Sequence, residues 1–333
     1  MIRNYKRIYI PIERQYIYVI KIFAIISIVS AHLTSIPDNS NKYNIISSFI
    51  LQNIGNIGVP IFYLISGYLF FYNKHDFKNF FNKKIKTIIL PWIVTGSIIF
   101  LSTAIRKGGL NLNNYIKFIL GSGSYLYFLT ILIVFYIIFF KIKNNIYILS
   151  LSIVISIVSI LLTASGNLLN INSYLNCFNF MIYFVIGIIL NKYNLLIKVG
   201  KIFGKYIYYI LIIYILSIVV AYIYQIKIGY FEYSTLYFNM ISIPLVLGLS
   251  TMKFFYNKHM TKWGIESFGI YLLHTPVAGL IKKILNHFDI WLLTIIRPII
   301  VICIVMLFID IYKYLSRKFN IEYISNSIIG VGR

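Results

Sequence analysis

Apolar residues fall in long runs separated by short, lysine-rich polar stretches, and ten of these runs approach membrane length: about 17 to 34, 46 to 72, 87 to 105, 125 to 140, 146 to 165, 173 to 190, 206 to 224, 235 to 252, 264 to 284 and 290 to 312. The stretches between them are too short to fold by themselves. The pattern therefore predicts an all-α fold, a polytopic membrane helix bundle of about ten transmembrane helices. Residues 1–333 form one domain, with 314–333 a short cytoplasmic tail. One external stretch, Arg106 to Ser124, is longer; within it Asn111 to Leu120 is expected to lie along the interface as a partial helix ending at Gly121-Ser122-Gly123.

The first run, Ile17 to Leu33, carries Lys21 near its start and His32 near its end. Eleven positions of helix are about three turns, so the two side chains share one stripe, ~16 Å apart along the axis. Either Lys21 snorkels to the headgroups and His32 marks the far interface, or the two belong to one site.

Composition narrows the classes. The chain is 59% hydrophobic and 12% charged, with a mean hydropathy of +0.82, which excludes an ordinary soluble domain because no single core could hide that much apolar surface. The formal charge of +23 would suit nucleic acid, but no run of five Lys or Arg occurs and the basic residues are dispersed between apolar runs. Loops facing anionic lipid are the better fit, and no nucleic-acid partner is expected. With Lys and Arg counted in alternate loops, 22 fall on one side and seven on the other, from Arg3 and Lys74 through Lys313 and Arg333 on the richer side. Both termini are then expected to be cytoplasmic. Lys21 falls near that face and His32 in the outer part of the membrane. Cys177 and Cys303 sit singly in apolar runs and read as packing residues.

Further polar groups lie inside the runs. The second carries Gly58, Pro60, Ser66 and Gly67, a helix that is expected to bend and to admit either a neighbouring helix or a narrow ligand. The basic segment Lys83-Lys84-Ile85-Lys86 abuts the third, where positive charge suits anionic lipid or a phosphorylated cofactor. The ninth carries Glu266, placed to neutralise Lys21 or Arg14, and His274 two turns further on; together they allow a proton relay. Arg297 in the tenth must face water, a carboxylate or a substrate, and Asp310 suits a structural ion pair. No HExxH, GxSxG, Walker loop or GxGxxG occurs, and no metal site is expected.

Four stretches resemble the acyltransferase-3 family of integral membrane acyltransferases: Lys21 through His32, Gly58-Val59-Pro60-Ile61-Phe62-Tyr63-Leu64-Ile65-Ser66-Gly67-Tyr68, the basic segment ending at Pro91-Trp92, and Ser267 through Pro276. The chain departs from that pattern at Lys21, where the family has arginine, at Tyr18, where many members carry Asp, and at Tyr125, a position often occupied by His. The resemblance implies transfer of an acyl group, here taken as acetyl, from cytoplasmic acetyl-CoA to a hydroxyl of an extracytoplasmic glycan such as a capsular polysaccharide, in a bacterial-type plasma membrane. Under it, His32 is the catalytic base; Lys21, helped by Lys84 or Lys86, holds the cofactor phosphates; Ser66 and Gly67 line the path of the arm. Arg297, with His274 and Glu266, attends the substrate or oxyanion. A proton-coupled small-molecule transporter or exporter, and a polysaccharide flippase or polymerase, are the rival readings. No internal repeat supports the first, and no large external loop supports the second.

Overall fold

The computed structural model describes residues 12–36, 40–71, 76–107, 110–166, 172–227, 229–285, 288, 290–320 and 328–330. Arg3, Lys6, Arg7, Lys74 and Arg333, which weigh in the orientation argument, lie outside these residues. Among the described residues every regular element is helical: α1 (Ile12–Ala31), α2 (Lys42–Gly55), α3 (Gly58–Phe71), α4 (Phe77–Lys84), α5 (Leu90–Lys107), α6 (Leu112–Leu120), α7 (Tyr127–Ile142), α8 (Ile146–Ala164), α9 (Phe178–Lys192), α10 (Leu196–Lys205), α11 (Ile207–Ile223), α12 (Ser234–Leu249), α13 (Lys258–Ile265), α14 (Ser267–Leu285) and α15 (Trp291–Lys318).

Among the described residues, five helical stretches are long and apolar enough to cross a membrane: Lys42–Phe71, Phe77–Ile105, Ile146–Ala164, Ser267–Leu285 and Trp291–Lys318. The pair α9 and α10, bent by 103° at its break, makes a sixth if it is taken as one span. The helices α7, α11 and α12 are apolar but shorter. A polytopic helical membrane protein is thus the observed class, while the count of ten spans and the placement of the termini remain inferences from the sequence.

The centre of the bundle is α1, which packs against α2, α3, α13, α14 and α15. Its residues Ile20, Ala24, Ile25 and Val29 are fully enclosed. The second apolar run is broken, as its proline and glycines suggest, but not at the proline. Asn56 and Ile57 form a turn between α2 and α3, with Asn56 still at helical dihedrals, and Pro60 sits in the first turn of α3, where a missing backbone donor costs nothing. Three contacts clamp the break: the Ser27 hydroxyl donates to Gly55 O (3.1 Å) and also bonds Ile54 O, and Tyr230 Oη donates to Gly55 O (3.0 Å). Gly55 itself lies flat on Ala31, with no room for a side chain.

Small residues bring α3 and α9 together: a Cβ on Gly67 would overlap the Phe184 carbonyl, and one on Gly187 would overlap the Leu64 carbonyl. Between α4 and α5, Ile85–Ile89 form a π turn. It lies directly ahead of Pro91, whose ring crowds the carbonyl four residues back and whose nitrogen donates no bond. A helix is present within the stretch where one was expected: Asn111 caps α6 by accepting from Asn113 N (2.8 Å), and Gly121 ends it at φ +90°, a left-handed turn suited to glycine. Trp92 Nε1 ties the helix down through Ile119 O (3.1 Å).

Candidate functional site

Two cavities lie along α1. The larger, about 700 Å³, is lined by His32 with Ile28, Thr34, Gln52, Asn56 and Thr275, and by a wall of rings that includes Tyr125, Tyr127, Tyr174 and Tyr230. The smaller, about 320 Å³, is lined by Lys21, Lys83, Lys84, Ser66, Thr87 and Ser267 among apolar groups of α3 and α7. Phe128 and Tyr271 line both. Lys21, within α1, thus lines one cavity, and His32, in the turn just after it, lines the other.

His32 occupies the turn that closes α1, where its backbone N–H donates to Val29 O (3.2 Å). Leaving the helix there frees its ring to enter the cavity instead of packing between turns. Beside it stands a second imidazole: the His32 and His274 ring centroids are 5.1 Å apart. His274 is wholly buried. Its Nδ1 lies 2.6 Å from Tyr271 O, a carbonyl that can only accept, so Nδ1 carries the proton. Nε2 then accepts from Thr275 Oγ1, 3.3 Å away. With both nitrogens engaged inside its own helix, His274 buttresses His32 and does not itself line the cavity. Tyr125 completes the cluster, its ring 5.2 Å from His274 and 6.3 Å from His32. Its hydroxyl donates to Leu272 O (2.7 Å), and Tyr271 Oη returns a bond to Tyr125 O (2.5 Å), stitching the start of α7 to α14.

At the other end the cations face a ring-rich wall. The Lys84 Nζ lies 4.8 Å from the Tyr136 ring centroid and 5.2 Å from that of Phe80, and Lys21 Nζ lies 5.8 Å from Tyr18. Ring faces hold an ammonium without neutralising it, so its charge stays available to an anion. Three lysines and the Ser66 hydroxyl around one cavity match the donor set that phosphate oxygens need.

Several residues singled out in the sequence stand elsewhere. Gly67 faces α9 and serves close packing. The exposed Lys86 lines neither cavity, and neither does the buried Arg297, which donates to Ser35 O (3.4 Å) and Leu285 O (3.3 Å). Glu266 caps α13 and forms an ion pair with Lys313, a partner the sequence did not suggest; Asp310 forms the expected pair, with Lys262 (2.6 Å). Ile329 packs on the main core, and Gly330 borders the Lys21 cavity beside Phe268 and Pro91. Sequence reasoning also missed the α7 wall of Phe128, Leu129, Leu132 and Tyr136. Nothing in an apolar run tells which of its faces will meet a cavity.

A family model described as an acyltransferase domain matches residues 14–313. Nearly the whole chain is covered, so the protein belongs to the acyltransferase-3 family of membrane acyltransferases. No curated protein and no solved structure matches it.

Proposed function

We propose, with membership of this family as the premise, that the protein is a membrane O-acyltransferase that moves an acetyl group from cytoplasmic acetyl-CoA to a hydroxyl of an extracytoplasmic glycan. The observation that carries this reading is the pair of cavities set end to end on α1, cationic at Lys21 and Lys84, imidazole-bearing at His32, and touching at Phe128 and Tyr271. A nucleotide with several phosphates cannot cross hydrocarbon, whereas a slender, weakly polar arm can. The ~16 Å from Lys21 to His32 is a reach such an arm covers.

Each residue has a role in this scheme. Lys21 and Lys84 hold the phosphates at the cytoplasmic mouth, and Ser66 lies along the arm. His32 accepts the proton of the acceptor hydroxyl as its oxygen attacks the thioester carbonyl; the C–O bond forms, the C–S bond breaks, and the proton is returned to the departing thiolate. Thr275 and the buried Nδ1–H bond of His274 fix the imidazole that backs His32. The ring-lined His32 cavity offers flat apolar faces that suit the faces of a sugar ring.

Purified protein in lipid nanodiscs, supplied with acetyl-CoA and a polysaccharide acceptor, is expected to release free CoA thiol and to acetylate the polysaccharide; His32→Ala is expected to do neither. Absence of thiol release from folded wild-type protein with any acceptor would overturn the enzyme reading in favour of transport.

A further inference from the structure

The two cavities share two side chains, and the rings of those side chains touch each other. Phe128, at the start of α7, and Tyr271, in the second turn of α14, are 5% and 3% exposed, and their ring centroids are 5.5 Å apart in an edge-to-face contact. Rings at that separation touch and leave no gap for a chain of atoms. Neither ring is loosely held. Phe128 is flanked by Tyr63 at 4.7 Å and Phe62 at 6.0 Å, and its carbonyl accepts from Tyr63 Oη (3.2 Å). Tyr271 is pinned by its hydroxyl to Tyr125 O, and its own carbonyl holds His274 Nδ1.

We infer that Phe128 and Tyr271 form a closed aromatic partition that seals the Lys21 cavity from the His32 cavity at rest, and that the acyl-bearing arm must part them to reach His32. The purpose of the opening rests on the transfer reading; the seal does not. Without the partition the cavities would join into one continuous passage with lysines at one end and His32 at the other, and water and protons could follow it. With it, the passage exists only while the arm fills it. Tyr271 is also held by its main-chain carbonyl, which accepts from Nδ1 of His274 beside His32.

Two measurements decide the matter. In proteoliposomes loaded with a pH-sensitive dye, the wild type should hold a proton gradient as well as protein-free vesicles, while Phe128→Ala and Tyr271→Ala should dissipate it severalfold faster. Tyr271→Phe, which keeps the ring and loses only its bond to Tyr125, should lie between them and guards against alanine variants that fail to fold. Phe128→Trp thickens the partition, so it should lower kcat for acyl transfer by about tenfold or more while the Kd for CoA stays unchanged, a split that general damage to the fold would not give. Folded Phe128→Ala and Tyr271→Phe vesicles as tight as the wild type would overturn the seal, and a Phe128→Trp enzyme with wild-type kcat would overturn the passage. If no acyl transfer is found even in the wild type, the transfer reading fails alone and the gradient measurement still decides the partition.

Discussion

Two imidazoles 5.1 Å apart invite the question of which one is the base. Under the proposed transfer, the role fits His32. It lines the cavity, whereas His274 is wholly buried and spends its Nδ1 proton on Tyr271 O. Removing a positioned general base costs about 10²- to 10⁴-fold in rate. At about 1.4 kcal/mol per decade, His32→Ala is therefore expected to raise the barrier by about 2.7 to 5.5 kcal/mol, seen in kcat with KM for acetyl-CoA nearly unchanged. His274→Asn is the informative partner, because the asparagine amide reaches about as far as Nδ1 and keeps a donor for the Tyr271 carbonyl. It should lose less than about tenfold, the cost of a looser neighbour and not of a missing base. The assay is initial-rate release of CoA thiol from purified variants at matched amounts of monodisperse protein, with thermal unfolding as the control on folding. The reasoning is refuted if His32→Ala keeps more than a tenth of the wild-type rate. It is refuted equally if His274→Asn, folded as well as the wild type, falls as far as His32→Ala.

Lys21→Ala removes one charged contact to phosphate, worth about 1.5 to 3 kcal/mol, so KM for acetyl-CoA should rise by about tenfold to a hundredfold at little cost to kcat; Lys21→Arg should keep most of the affinity, and an unchanged KM in Lys21→Ala would remove Lys21 from the cofactor site. Gly67→Ala and Gly187→Ala force a Cβ into the opposing helix backbone and should each destabilise the folded protein by about 1 to 3 kcal/mol, read as a lower unfolding temperature, while Gly279→Ala, which meets nothing within 4 Å, should be silent. Glu266→Ala strands the half-buried Lys313 ammonium and should cost about 3 to 5 kcal/mol of stability, most of it recovered in the double variant Glu266→Leu, Lys313→Met; full stability in the single variant would show that the pair is dispensable.

The chain's own pattern carries the stripe that joins Lys21 to His32, because helical periodicity depends only on neighbours in sequence. Periodicity also held information left unused: Ser66 and Gly67 are consecutive, so a helix points them about 100° apart, and one faces the cavity while the other meets α9. The break at Asn56 was hidden because a proline marks either a kink or a helix start, and only the clamp from Ser27 and Tyr230 decides which. Arg297 was singled out from depth alone, and depth does not tell which way a side chain turns. The pairing of Phe128 with Tyr271 lies furthest out of reach. It joins two apolar runs 143 positions apart, and every residue of such a run is equally apolar on paper.

The departures from the family pattern make physical sense together. An arginine with a carboxylate one turn earlier would be a self-contained ion pair, its fork partly spent inside the protein. Here Tyr18 replaces the carboxylate, and its ring lies within 5.8 Å of Lys21 Nζ, so the ammonium keeps its charge unneutralised by that neighbour. Lys84, cradled by Phe80 and Tyr136 in the same cavity, adds a second point charge. Two separate ammonium groups with their charge intact can hold a phosphate where one fork would otherwise grip it. At the other end Tyr125 stands where a histidine is common, and its hydroxyl goes to the Leu272 carbonyl rather than into the cavity. A histidine there would add a third imidazole to the pair already formed by His32 and His274. Tyrosine stays neutral through the range in which imidazole titrates, so under the proposed transfer the proton would be left to His32, whose ring lies 6.3 Å from that of Tyr125.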